Sequence, residues 1–155
     1  MSGSEKPPLA GLHLRLGWVW ICLFSALGLV LEALHGFKVG LYLDVGQETR
    51  RLMWTLAHTH GTLLGLLHLA FASTLSHVSE GAKYVLLASR LLLTAGVLLP
   101  GGFFLGGVLI HSSDPGIAIV FVPLGAIALI LASALVAHSI EKNISGAGTS
   151  GPPAA

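Results

Sequence analysis

The chain has 155 residues, 54% of them hydrophobic and only 10% charged, and a mean hydropathy of +0.83, more apolar surface than a soluble domain of this size can bury. A formal net charge of +1 gives no sign of a nucleic-acid partner or of a polybasic lipid-binding patch. The single cysteine, Cys22, excludes an internal disulfide, a cysteine-based zinc site and a CxxCH haem attachment.

Residues 1–12 are polar and proline-containing and are expected to form a disordered tail. Four apolar runs follow, roughly 16–37, 52–76, 84–111 and 115–139, each long enough for a hydrocarbon core that needs about 20 residues per helix. The alternation of a barrel strand is nowhere present. The predicted fold is therefore all-α, an integral membrane antiparallel four-helix bundle over residues 13–142. Lys6 and Arg15 precede the first run as in a signal peptide, but the run is too long, carries Glu32 and lacks an A-x-A site, so a retained helix is expected.

Within the first run, Glu32 and His35 stand one turn apart on one helix face. They can offer two ligands to a metal, or form a hydrogen bond that neutralises the carboxylate. The connection Lys38–Arg51 is partly apolar and then charged, so it should lie along the interface before Glu48 or Thr49 opens the second helix.

The second run contains "HTHGTLLGLLH", three imidazoles and two glycines in eleven residues. His58 and His60 are two apart on a helix and look in opposite directions. The face of His58 continues through Gly61, Gly65 and His68, a small-residue stripe that a neighbouring helix or a planar cofactor can approach. His60 projects with Leu64, Leu67 and Phe71 and must meet something else.

"SHVSEGAK" makes a short loop with Gly81 as breaker. The third run, "GVLLPGGFFLGGVLIHSSDPG", is interrupted by Pro100 and by Gly101, Gly102, Gly106 and Gly107, so a kink is expected there. Arg90 reads as a snorkelling anchor. Asp114 and Pro115 look like the N-cap and first residue of a fourth helix, in which Pro123 and Gly125 are a second candidate kink. Residues 143–155 are small, Gly/Pro-rich and expected to be disordered; "NIS" at Asn143 matches a glycosylation acceptor.

Short loops imply antiparallel neighbours. Threaded in that way, Glu32, His35, His58, His60 and His111 gather near one face, here called outer, while His13, His77 and His138 fall at the inner interface as solvated side chains. Lysine and arginine counts favour both termini in the cytoplasm of a bacterial inner membrane. An ionisable group at membrane depth is a functional candidate unless something partners it. The outer set is accordingly a candidate metal site, and His58, His60 and His68 are candidate cofactor ligands.

The segment "WTLAHTHGTLLGLL" resembles the His-x-His helix of small uncharacterised bacterial membrane proteins distantly like haem-copper oxidase core subunits. That resemblance covers about fourteen residues and implies haem b or copper bound through His58 and His60. Three functions are open: a haem- or copper-binding protein, a non-catalytic accessory subunit docking onto a homo-oligomer or larger membrane complex, and a small proton-coupled channel using Glu32 and the histidines. No nucleophile triad, phosphate loop or nucleotide fingerprint is present, and whether the chain is an enzyme stays open.

Overall fold

The computed structural model describes residues 8–78, 83–111 and 113–148, and among these it holds helices and no strand. Four long helices, α1 (Pro8–Gly36), α3 (Glu48–Thr74), α4 (Lys83–Val108) and α5 (Phe121–Gly148), are joined by a short α2 (Gly40–Leu43) and two 3-10 turns, Val45–Gln47 and Ile117–Val120. The sequence boundaries shift at several ends. Residues 8–12, expected in a tail, are the first turn of α1, and α5 runs on through residue 148. The rest of both expected tails, and Gly81, lie outside the described residues.

Among the described residues, three helices are long and apolar enough to cross a membrane: Leu9–Gly36, Lys83–Val108 and Ile117–Lys142. The expected fourth, α3, is helical over 27 residues but less apolar. Its place explains this. It lies between α1 and α4, so more of its side chains meet protein and fewer need be apolar.

Specific contacts give the direction of packing. From α1 to α3 the pairs are His13 with His68, Ile21 with Gly65, Phe24 with Gly61 and Gly28 with His58; rising numbers meet falling ones, so the helices are antiparallel. The same holds between α3 and α4, where Trp54 meets Gly107, His60 meets Phe103 and His68 meets Gly96. It holds again between α4 and α5, where Gly102 meets Val122 and Leu99 meets Gly125. The substantial contacts follow chain order, and α1 reaches α4 through long side chains, His13 and Trp20.

Glycines let these helices close up. A Cβ at position 65 would lie 2.8 Å from Ile21 Cγ1 and 3.0 Å from the Gly17 carbonyl oxygen, and a Cβ at 61 would enter the Phe24 ring. The predicted stripe is therefore the surface on which α1 docks.

One proline and one expected cap shape the backbone of α4 and α5. Pro100 lies inside α4, which continues as helix through it. The carbonyl left without its usual donor, that of Gly96 four residues back, accepts the Trp20 indole N–H at 2.9 Å. Asp114 does not cap α5. It exchanges backbone hydrogen bonds with His111 (3.1 and 2.9 Å) across a tight turn in which Ser113 has φ 74°. The helix proper then begins at Phe121, which puts Pro123 in the first turn, where a missing N–H leaves no acceptor unsatisfied.

Candidate functional site

At the outer end, α1, α2 and α3 line a half-open pocket of roughly 340 Å³. Its polar lining is Ser25, Glu32 and His35 from α1, Tyr42 from α2, and Thr55 and His58 from α3. The α1 residues recur as 25, 28, 32 and 35, one helical face, and antiparallel packing brings His58 to the height of Gly28. Three members of the predicted metal set, Glu32, His35 and His58, thus line one cavity.

His58 is the positioned member. Its Nδ1–H donates to the Phe24 carbonyl at 2.6 Å, since a carbonyl can only accept, and this assigns the lone pair to Nε2. The ring packs closely against Gly28, where a Cβ would be 2.7 Å from Nδ1 and 3.0 Å from Nε2, so only glycine leaves space for it. An imidazole whose second nitrogen is tied to a carbonyl is the usual state of a metal-ligating histidine. Glu32 and His35 are exposed side chains and free to reorient.

The other two members of the set lie elsewhere. His60 donates from Nδ1 to the Leu56 carbonyl one turn back at 2.9 Å, and its ring is tilted against Phe103 of α4 at 4.9 Å, on the far side of α3 from the pocket. That is the second neighbour the spacing required. His111, beyond the end of α4, is exposed. Among the described residues no three His, Cys, Asp or Glu side chains already stand close enough to enclose a metal ion. The five residues are therefore not one centre, because residues two apart on a helix face apart and His111 belongs to a turn.

His68 lies on the predicted stripe, but α1 covers it there and an imidazole is its partner. It is fully buried, as is His13, and the two meet Nδ1 to Nδ1 at 2.7 Å. His13 Nε2 reaches Ser89 Oγ of α4 at 2.8 Å. Phe71 packs edge-on to His13, and Trp20 to His68. The sequence reading put His13 among solvated interfacial side chains; the signal it passed over is the α1 stripe His13, Gly17, Ile21, Phe24 and Gly28, which complements the stripe on α3. Of the other two inner histidines, His138 stands against Tyr84 at 5.4 Å, and His77 is exposed.

At the outer rim, Arg50 donates to the Gly107 carbonyl at 3.1 Å and to that of Leu41 at 3.2 Å, while Trp54 donates to Phe104 at 3.2 Å. A cation at the carbonyl end of α4 suits the helix dipole. These bonds tie α2, α3 and α4 together and hold one wall of the pocket.

A haem fits this arrangement poorly. His58 and His60 point to opposite sides of α3, His68 is sealed against His13, and the pocket has a mixed polar lining instead of a flat apolar slot. A single ion suits the donors better: two imidazoles, one carboxylate and hydroxyl oxygens.

No family model matches the chain, and neither a curated protein nor a solved structure is significantly similar to it.

Proposed function

We propose that this chain is an integral membrane protein, its four long helices crossing a bilayer as an antiparallel bundle with both termini on the inner, cytoplasmic side. We further propose that it binds a divalent first-row metal ion in the outer pocket. The observation that carries the reading is His58: its Nε2 lone pair is left free by the Nδ1–H bond to Phe24, in a pocket shared with His35 and Glu32. Imidazole suits copper, copper(II) leads the first-row affinity order, and the absence of a thiolate makes a soft-metal store unsuitable. Glu32 offsets part of the ion's charge, and His35, one turn away, completes a set of two imidazoles and one carboxylate. Bound copper would supply a Lewis-acidic or one-electron redox centre at that membrane face.

Calorimetric titration of the full chain in detergent with copper(II) tests this. One equivalent should bind, and His58→Ala should weaken it at least tenfold, in line with the loss of a ligand or its orienting partner. Equal binding by wild type and variant would remove the reading.

A second reading, an accessory subunit, is supported by the small share of α1 and α5 buried within the chain, 11% and 17% of their apolar windows against 50% for α4. Lipid or another subunit must cover the rest. The channel reading has less support, because Phe24 lies across Gly61 between the outer pocket and the His13–His68 pair and interrupts any polar path.

A further inference from the structure

Helices α1 and α4 touch toward the inner side and part toward the outer. On the inner side His13 of α1 reaches Ser89 of α4 at 2.8 Å, and one and a half turns on, the Trp20 indole reaches the Gly96 carbonyl at 2.9 Å. Beyond Trp20 the two helices leave a groove of roughly 430 Å³ between Leu23, Leu27 and Val30 of α1 and Pro100, Gly101 and Phe104 of α4. All six are apolar. A Cβ at position 101 would meet nothing within 4 Å, so the α4 side of the groove is open down to the backbone.

The outer end of the groove has a different chemistry. Phe104 stacks on Trp54 of α3 at 6.0 Å, and the Arg50 guanidinium stands over that indole, 5.8 Å from its centroid. Arg50 donates from Nε and Nη1 to the Gly107 and Leu41 carbonyls, which leaves the two N–H donors of Nη2 for another acceptor. Glu48, two residues earlier, faces away from it around the helix. Among the described residues the contacts of Arg50 are two carbonyls and a ring, with no carboxylate. A positioned cation without an anion thus stands at headgroup level over an apolar slot.

We propose that the groove between α1 and α4 holds one anionic phospholipid, with an acyl chain against Pro100 and Gly101 and the phosphate on Arg50. Charge complementarity selects the headgroup, since phosphate oxygens accept charge-assisted bonds from a guanidinium. Shape selects the chain. A partner helix is about 10 Å across and cannot follow the groove past Trp20, where α1 and α4 close; a flexible alkyl chain can end there. The α1 residues of the outer pocket, 25, 28, 32 and 35, lie on another face of that helix, so the lipid site does not depend on metal. It does rest on the bilayer-crossing reading, which the sidedness of cysteine labelling tests separately.

Native mass spectrometry of the full chain in mild detergent, with phosphatidylglycerol or phosphatidylcholine of matched acyl chains added, reads the site. One phosphatidylglycerol per chain should be held at least tenfold more tightly than phosphatidylcholine, in line with a hydrogen bond between charged groups. Arg50→Gln should abolish that preference, and Arg50→Lys should keep most of it. Because Arg50 also ties α2 to α4, Gly101→Leu is the independent variant: its side chain enters open space, should leave the helical circular dichroism unchanged, and should displace the bound phospholipid. Equal retention of the two lipids by the wild-type chain, undiminished phosphatidylglycerol on folded Gly101→Leu, or a dimer of the chain in place of the lipid adduct would overturn the proposal.

Discussion

At the scale of single residues, the clearest dependence is between Trp20 and Pro100. Proline deprives the Gly96 carbonyl of its helical donor, and an indole from another helix replaces it. Trp20→Phe should therefore destabilise the chain by about 1–3 kcal/mol, the cost of an unsatisfied buried acceptor. In a Pro100→Ala background, where the backbone N–H of residue 100 returns, the same change should cost less. A double-mutant cycle on denaturation in mixed micelles measures the difference, and strict additivity would contradict the pairing. Lys38 offers a second case. It ends α1 with φ 52°, and bonds from Lys38 and Val39 back to His35 and Leu34 (3.1 and 3.0 Å) close the helix. A side chain in the left-handed region costs roughly 1–2 kcal/mol, so Lys38→Gly should raise stability by about 1 kcal/mol in the same assay.

Helix packing rests on the two facing stripes of α1 and α3. Gly65→Val would drive a branched side chain into Ile21 and the Gly17 backbone, and overpacking of this kind costs about 1–3 kcal/mol. It should also separate His13 from His68, visible as altered imidazole nitrogen chemical shifts; unchanged shifts would contradict the docking. Much of this was legible beforehand. Imidazoles and glycines at positions 58, 61, 65 and 68 share a face by helical periodicity alone, and the opposed direction of His60 follows from the same geometry. The grouping of Glu32, His35 and His58 followed from antiparallel threading. The burial of His13 was not legible, because depth along a helix says nothing about which way a side chain faces until its neighbour is known. Nor was the turn at Asp114, where a local capping pattern gave way to a tertiary bond from Gly116 N–H to the Gly106 carbonyl at 2.9 Å.

For the whole molecule, the antiparallel order α1, α3, α4, α5 places Lys83 and Lys142 at one end and Lys38 at the other. In a Cys22→Ala background, single cysteines at positions 83 and 142 should label from the same side of sealed vesicles and a cysteine at 38 from the opposite side. Labelling of 38 and 142 from one side would contradict four crossings. The same order brings α1, α2 and α3 together around the pocket, so the account depends most on whether that pocket holds metal through residues from separate helices. Electron paramagnetic resonance of copper(II) on the full chain in lipid vesicles tests this directly. The account predicts superhyperfine splitting from two imidazole nitrogens, one lost in His58→Ala and the other in His35→Ala; a spectrum with only oxygen ligands, or one that neither substitution changes, would contradict it.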